Sequence, residues 1–403
     1  MDQGSINYMT NQVDCIYFIP CTEYHQGGLM PVKVYRVNGR HELKQFIYLP
    51  EQIHRHHPQW VHPLYQDEFM FFDPAKNKSF ASTDTILALA GNAQGRIVGR
   101  IMGIINPAYN KSHQENNARF CFLECEEDSS IAKALLDFVE QWAHEKGMAR
   151  LVGPLCFSDK DPQGLLIEGF DERVVIATNY NFPWLRLMVE SAGYTKEIDL
   201  VSYKVDIPET IPAYLQKTCE RVIRNGNYIL HEFTRQNQLR PWIVPIFNLI
   251  NEAYSHIYGF IPLTEAEMNE FAERYIPVLN PKFIKVITLA DNIPIAFLIS
   301  MPELSEGIRK AKGRLWPVGW YHILREAKRT RMLTMLLGAI RENHRGKGLD
   351  ALLAIKILES AHEAHMQLID SHLILENNDR MRAEYERIGG RVHKRYRIFG
   401  KDL

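Results

Sequence analysis

A basic, glycine-rich stretch near the carboxyl end of the chain, Arg-Glu-Asn-His-Arg-Gly-Lys-Gly-Leu-Asp over residues 341–350, has residue types suited to binding an anion. Gly346 and Gly348 let the backbone approach a ligand closely, while Arg345 and Lys347 add positive charge. If a helix begins at Gly348, its first amide N–H groups lack intrahelical acceptors and its dipole favours a negative group. The stretch therefore indicates a phosphate or diphosphate cradle, with a solvated basic turn as the alternative.

The segments on either side predict the strand and the helix that such a cradle requires. Residues 332–340 form an apolar run that is typical of a buried strand. Apolar residues then recur every four positions over residues 349–361, which predicts an amphipathic helix beginning near Gly348. The rest of the chain predicts a second strand, a short helix and a last strand, over residues 367–375, 381–390 and 391–399.

This arrangement resembles the acyl-CoA N-acyltransferase superfamily, usually called GNAT. The superfamily's pyrophosphate motif is Arg/Gln-x-x-Gly-x-Gly/Ala at the start of a helix. Arg345 and Gly348 match it, whereas Asp350 stands where the motif has a small residue. The resemblance implies that acyl-CoA or acetyl-CoA binds as a co-substrate to Leu337, Gly338, Ile340, Arg345, Gly346, Lys347, Gly348, Leu349 and Asn378.

A second signature of the same superfamily, Asn-x-x-Ala-x-x-x-Tyr-x-x-x-Gly-Phe, falls on the predicted short helix. Asn378, Tyr385 and Gly389 match it in register. Met381 and Gly390 replace the alanine and the phenylalanine. The two signatures together place the resemblance in the C-terminal part of the chain.

The resemblance implies direct transfer of an acyl group from a thioester to an amine. The reaction requires a neutral amine, an oxyanion stabiliser and an acid for the leaving thiolate, but no serine or cysteine nucleophile. Tyr385 is the expected general acid, unless it only packs its helix against the sheet. Glu376 is the expected base, directly or through water, unless it only caps the next helix. Backbone N–H groups of residues 336–338 are expected to stabilise the oxyanion, with Gly338 keeping side-chain bulk out of the channel.

Strands and helices recur in the same order in the two halves of the chain, which predicts two tandem GNAT-like domains. The fold class is expected to be α+β or α/β, each domain having a mixed, mostly antiparallel sheet flanked by helices. We expect a poorly ordered tail over residues 1–29, a domain without the CoA motif over 30–207, and a domain with it over 208–403. Prolines at positions 208 and 212 mark the linker.

The first half differs from the second at the two places that matter for the chemistry. Residues 126–130, Glu-Glu-Asp-Ser-Ser, occupy the position of the cradle, and three acids there would cap a helix but repel a pyrophosphate. CoA is therefore expected in the second half alone. Residues 153–171 form an insertion that is either a lid or acceptor-pocket wall, or a packed loop.

Composition excludes several classes of protein. With 46% hydrophobic and 24% charged residues and a net charge of −1, the chain is typical of globular proteins and offers no field for nucleic acid. No apolar run is long enough to cross a bilayer, so no transmembrane segment is expected. The six cysteines lack metal-site spacing and are expected to be reduced thiols of a cytoplasmic protein. The histidines at 54, 56 and 57 are interpreted as a helix end, and no metal is expected.

The sequence thus predicts an acyl-CoA-dependent N-acyltransferase whose acceptor is a small-molecule or lipid amine. Aromatic residues around 254–260 and 316–321 suit an apolar groove for a long chain, although such residues more often fill a core. The alternative is a catalytically degenerate acyltransferase-like protein with a binding or regulatory role. The sequence does not define the acceptor, the acyl chain length or the oligomeric state.

Overall fold

The computed structural model describes residues 32–176, 178–224 and 227–403, so the tail predicted for residues 1–29 lies outside the described residues. Fourteen strands form one sheet. They are β1 (Lys33–Arg36), β2 (Asp84–Gly91), β3 (Ile97–Ile105), β4 (Asn117–Cys125), β5 (Arg150–Gly153), β6 (Leu165–Glu168), β7 (Thr195–Asp206), β8 (Ile229–Glu232), β9 (Ile284–Thr288), β10 (Pro294–Pro302), β11 (Met332–Ile340), β12 (Leu368–Asp370), β13 (Ile374–Leu375) and β14 (Arg391–Asp402).

Helices cover both faces of this sheet. They are α1 (Arg40–Ile53), α2 (Tyr65–Phe71), α3 (Pro107–His113), α4 (Ser129–Glu145), α5 (Pro183–Ser191), α6 (Ala213–Arg224), α7 (Ile243–Ala253), α8 (Glu265–Tyr275), α9 (Ser305–Ala311), α10 (Gly319–Arg329), α11 (Leu349–Glu363) and α12 (Asp379–Arg387). Across the described ranges, no helix has both the length and the apolar character that a bilayer span requires.

The strand order across the sheet is β1-β2-β3-β4-β5-β14-β7-β12-β11-β10-β9-β8, with β6 beside β14 and β13 beside β7. Two neighbouring pairs are parallel, β4 with β5 and β11 with β12, and the other pairs are antiparallel. The predicted mixed, mostly antiparallel sheet flanked by helices is therefore confirmed.

The two central strands, β7 and β14, join the halves of the molecule. β14, from the end of the chain, lies between β5 and β7, while β7, from the first half, lies between β14 and β12. The strand order consequently mirrors itself about the β14–β7 pair, with β1–β5 on one side and β8–β12 on the other. Each half supplies a strand that completes the sheet of the other. The division of the chain into domains at residues 207 and 208 stays a prediction.

Side chains alternate between the two faces of the central strands, which separates two environments. Val201, Tyr203 and Val205 of β7 pack towards α11 and α12, and we call this side the α11 face. α4, α5 and α6 cover the same side. The opposite side, here called the α1 face, carries α1, α2 and α7 to α10.

Most predicted elements of the C-terminal part are confirmed. β11 covers residues 332–340, and α11 begins directly after Gly348. The strand predicted over residues 367–375 is wrong in one respect, because it is interrupted between β12 and β13. Asp370 Oδ1 accepts a hydrogen bond from the amide of His372, whose φ is +58°, and this turn ends the pairing of β12.

The cysteine prediction is wrong for one pair. Cys121 on β4 and Cys156 after β5 form a disulfide, with Cα atoms 5.4 Å apart. The sequence gives no sign of this pairing, because 35 positions separate the two residues and only the packing of β4 against β5 brings them together. Cys125 and Cys219 are buried free thiols, while Cys15 and Cys21 lie outside the described residues.

Candidate active site

The predicted phosphate cradle lies between β11 and α11. Residues 342–344 form one 3-10 turn, and Gly348 is the N-cap residue of α11. Gly346 and Gly348 have positive φ values, 74° and 86°, which glycine adopts without a Cβ clash. Within the described ranges, the amide N–H groups of residues 346–351 have no hydrogen-bond acceptor, and no side chain caps the helix. These successive donors are free to bind an anion.

Positive charge surrounds the cradle. Burial, together with the charges of Lys347 and Arg341, lowers the pKa of His344. The Arg345 side chain folds back and donates from Nε to the carbonyl of Ile340 at 3.1 Å. This bond fixes the arginine at the rim of the turn. The cradle therefore has the donors and the electrostatic potential that a diphosphate requires.

The equivalent turn in the first half is closed. Asp128 caps α4 by accepting a hydrogen bond from the amide of Ser130 at 2.8 Å. Glu126 pairs with the guanidinium of Arg96 through two contacts. A carboxylate already occupies the position where an anion would bind, so the contrast predicted between the halves is present in the structure.

A gap opens in the sheet next to the cradle. β11 and β12 pair only as far as Thr334 and Asp370, and beyond these residues the two parallel strands separate. On the other edge of β11, the register with β10 shifts so that Leu336 is bulged. The Tyr254 hydroxyl donates to the Gly338 carbonyl at 2.8 Å. The same hydroxyl accepts from the Gly338 amide at 3.4 Å, so one of the predicted oxyanion donors is already bonded within the protein. Oxyanion stabilisation by the backbone near Leu336 stays a prediction.

Tyr385 of α12 lies close to this gap. Its ring stacks on Tyr203 with centroids 5.6 Å apart. Burial, with smaller effects of Asp370 and Tyr254, raises the pKa of Tyr385 well above its usual value. The phenol is therefore protonated at neutral pH, as a proton donor must be, and it is electrostatically linked to the end of β12.

Glu376 lies at the end of β13 and is engaged in ion pairs and hydrogen bonds. Its carboxylate accepts from the Lys196 ammonium at 2.8 Å and from the amide of Asp199 at 3.1 Å. The backbone of Glu376 is bonded to Asp199 and Arg382. Glu376 thus links the end of β13 to β7 through these bonds. Its role as a base stays a prediction.

The remaining predicted CoA-binding residues lie around the same turn. Leu337, Gly338 and Ile340 belong to the second part of β11, and Leu349 is the first residue of α11. Asn378 caps α12, because its side chain accepts from the amide of Met381 at 3.2 Å. Their contacts with a cofactor stay predictions.

A buried polar cluster on the α1 face, beside the gap, was not predicted from the sequence. Asp370, His393 and Lys394 are at most 6% exposed as side chains, and Ser202 is also buried. The one available signal was an aspartate that ends an apolar strand, Leu-Ile-Asp. His393 and Lys394 follow the Gly-Gly pair and resemble the exposed residues of an edge strand. Their burial therefore could not be predicted from the sequence.

The corresponding gap in the first half is filled by the chain itself. The buried Arg119 guanidinium donates to the carbonyls of Cys156 and Phe157 at 3.2 and 3.3 Å. The amide of Leu155 bonds to the Phe120 carbonyl, which bridges β4 and the segment after β5. The first residues of the insertion at residues 153–171 therefore pack against β4 and fill this gap.

A cavity of about 930 Å³ is lined by the histidines near residue 54 and, from the second half, by Arg309 and Lys312. His54 stacks on Phe182 at 4.9 Å and contacts Glu124 through Nε2 at 3.2 Å. Among the residues that the structure describes, no group of three histidine, cysteine or carboxylate side chains is arranged to hold a metal ion. Stacking of these rings explains why the histidines lie together.

Comparison with known proteins yields no matching family model. The chain is 26% identical over 374 residues to protein YghO of Escherichia coli (strain K12), covering 91% of this chain and 94% of that protein. It is also 26% identical over 370 residues to the bacterial ceramide synthase of Caulobacter vibrioides (strain NA1000 / CB15N), covering 90% and 95%.

Among solved structures, a tandem GNAT protein from the clavulanic acid biosynthesis pathway superposes with a TM-score of 0.54. The match covers 92% of this chain and 98% of that chain at 14% sequence identity. At this low sequence identity, the superposition establishes the fold alone. That fold agrees with the repeated order of strands and with the glycine turn before α11. The chain is therefore a protein of the tandem GNAT fold.

Proposed function

We propose that this protein is an N-acyltransferase that moves an acyl group from acyl-CoA to an amine by direct attack, with the cofactor held by the second half. The observation that carries the proposal is the row of unpaired amides at residues 346–351, beside a gap in the sheet. In the described residues of the first half, Asp128 caps the equivalent turn and Arg119 helps to fill the equivalent gap. Acyl transfer as the general reaction is supported by the tandem GNAT fold and by the name of the ceramide synthase relative.

The same name supports a lipid amine as acceptor, because a ceramide is the amide of a long-chain amino alcohol. We propose that the acceptor of this chain belongs to that class. In the reaction, the amine nitrogen bonds to the thioester carbonyl carbon and the carbon–sulfur bond breaks. A base takes the proton that the nitrogen loses, Tyr385 supplies a proton to the departing thiolate, and backbone N–H groups near Leu336 stabilise the oxyanion.

Titration calorimetry with CoA tests the cradle. We expect the wild type to bind and Gly346→Asp to weaken binding at least about tenfold, because its carboxylate would face the diphosphate. Gly95→Asp is the matched control, since Gly95 has a φ of 75° and, like Gly346, has no atom within 4 Å of its ideal Cβ position. Equal losses in both variants, or no wild-type binding at millimolar CoA, would count against the proposal.

Product analysis tests the reaction. Palmitoyl-CoA or acetyl-CoA is incubated with sphinganine, the amide is identified by mass spectrometry and released CoA is measured with a thiol reagent. We expect amide and free CoA in equal amounts. CoA binding without transfer to sphinganine or to a panel of simpler primary amines would favour the degenerate, non-catalytic alternative.

A further inference from the structure

A β-bulge in the last strand creates the buried polar cluster on the α1 face. β14 pairs with β7 through Val392 with Tyr203 and through Lys394 with Ser202, so His393 is an extra residue between two pairs. Such a bulge redirects side chains that would otherwise alternate between faces. Here it lets His393 reach Asp370 and Ser202, while the next residue, Lys394, also approaches Asp370.

The hydrogen bonds of this cluster define which nitrogen of His393 is free. The Ser202 hydroxyl donates to Asp370 Oδ1 at 2.9 Å, and it has only one proton to give. Its oxygen, 3.2 Å from His393 Nε2, must therefore accept from that nitrogen. Nε2 carries the proton, which leaves Nδ1 with an unshared electron pair.

His393 Nδ1 is buried and has no hydrogen-bond partner among the described residues. The Glu172 carboxylate lies 3.7 Å from this nitrogen. A cavity of about 170 Å³ adjoins His393 and is lined from the other strands by Asp370 and Met332. His393 thus lines a cavity and has a ring nitrogen with an unused lone pair, which is a site where a proton can be accepted.

Other buried polar atoms at this place also lack hydrogen bonds. They are Asp370 Oδ2, Lys394 Nζ and Thr334 Oγ1, each on a side chain that is almost fully buried. Asp370 Oδ2 lies within ion-pair distance of His393 Nε2, at 3.1 Å, and of Lys394 Nζ, at 3.7 Å. Thr334 and Asp370 are the last paired residues before the gap. Asp370 and Lys394 form an ion pair but both keep unused hydrogen-bonding capacity beside the cavity. Buried polar atoms of this kind indicate a ligand with its own donors and acceptors.

The Asp370 carboxylate supplies a negative charge next to His393 in this cavity. Burial tends to raise the pKa of Asp370, but His393, Lys394 and Ser202 outweigh it and keep the pKa far below its usual value. Asp370 is thus an anion that stabilises a protonated His393. The other charged or titratable groups that line this cavity come from four segments of the chain and are Glu172, Arg173, Lys204, Glu303 and Lys394.

We propose that this cavity is the pocket for the acceptor amine and that His393 Nδ1 takes the proton that the amine loses on attack. The inference rests on the proposed function and replaces Glu376 as the base. The nitrogen–carbon bond forms, the carbon–sulfur bond breaks, the amine proton passes to Nδ1, and the Tyr385 proton passes to the thiolate. Exchange with solvent then returns one proton to Tyr385 and removes one from His393. Asp370 and Ser202 are positioning residues that hold the reactive tautomer.

The test uses the full chain with palmitoyl-CoA and sphinganine. We expect His393→Gln to lower kcat at least about 100-fold while leaving CoA affinity within twofold of the wild type. The rise of kcat with pH on the acid side should also disappear, because the group whose deprotonation causes it is gone. His231→Gln is the control, since His231 also lies half-buried on a strand of the second half, bonded to Thr288.

The two proposals fail in different ways. If wild type neither binds CoA nor forms amide, the proposed function fails. If wild type forms amide and His393→Gln keeps more than a third of kcat with the acid limb intact, only the present inference is overturned. Loss of activity in Glu376→Gln beside an active His393→Gln would restore Glu376 as the base.

CoA binding distinguishes a folding defect from a catalytic one, because the cradle lies at the start of α11, on the α11 face, whereas the polar cluster lies on the α1 face. Should His393→Gln not bind CoA, Ser202→Ala provides the second variant. Losing the acceptor of the Nε2 proton should lower kcat about tenfold and shift the acid limb of the pH profile, with CoA affinity kept. An unchanged kcat and pH profile in Ser202→Ala would overturn the inference.

Discussion

At the scale of single residues, the hydroxyls of two stacked tyrosines, Tyr203 and Tyr385, have different surroundings. The Tyr203 hydroxyl donates to Glu386 at 2.6 Å and accepts from Arg382 at 3.1 Å. Tyr385 stacks on the same ring, and no hydrogen bond of its hydroxyl is recorded among the described residues. The first phenol has a structural role, while the second is available to a ligand. This distinction supports Tyr385, the residue that matches the GNAT signature, as the proton donor.

Replacement of Tyr385 by phenylalanine should lower kcat about 100-fold, because the thiolate loses its acid, with little change in CoA affinity. Burial chiefly, with a contribution from Asp370, raises the pKa of Tyr385, so ionisation of this phenol should not lower the activity between pH 7 and 9. Steady-state rates across this range check both statements. Tyr203→Phe is the control and should change stability more than kcat. A fall in rate with rising pH that is absent from Tyr385→Phe would contradict the argument.

At the scale of elements, the cradle depends on two glycines with different neighbours. An ideal Cβ at Gly348 would lie 2.7 Å from Val222 Cγ2 and 2.8 Å from Thr218 Cγ2, both on α6. At Gly346 nothing lies within 4 Å. The first glycine lets α6 pack on the start of α11, whereas the second only allows the turn.

Alanine at the two positions should therefore have different effects on the free energy of unfolding. Gly346→Ala adds only the strain of a positive φ, about 1 kcal/mol. Gly348→Ala adds the same strain and a clash with α6, for a total of about 2–4 kcal/mol. Urea unfolding followed by circular dichroism measures both values. Equal losses of stability would show that α6 shifts to accommodate the Cβ at position 348 and does not constrain the geometry of the cradle.

The elements also show what the sequence could predict. β11, the glycine turn and α11 follow from local hydrophobic periodicity and turn chemistry, so their positions were predicted closely. The burial of His393 was not, because it depends on a bulge in β14 that only pairing with β7, about 190 positions away, creates. The disulfide of Cys121 and Cys156 was missed for the same reason. Contacts between distant strands leave no periodic trace in the chain.

At the scale of the whole molecule, the crossed arrangement of β7 and β14 makes the halves interdependent. β14 pairs with β5 of the first half along Phe399–Asp402 and with β7 along most of its length. The last residues of the chain thus complete the sheet of the half that lacks the cradle. Tyr396 and Ile398 are fully buried against Leu155, Leu166 and Leu200, in a cluster that includes residues of both halves.

This arrangement predicts that the halves unfold together. Tyr396→Ala removes a fully buried ring at the centre and should lower the stability of the whole chain by about 3–5 kcal/mol. Hydrogen exchange should then accelerate to a similar extent in β3 of the first half and in β10 of the second, because both depend on the β14–β7 pair. Leu358→Ala in α11 is the control, since its buried side chain belongs to a cluster formed mostly by residues of the second half. If Tyr396→Ala left exchange in either half unchanged, the two halves would be independent folding units that merely share an edge.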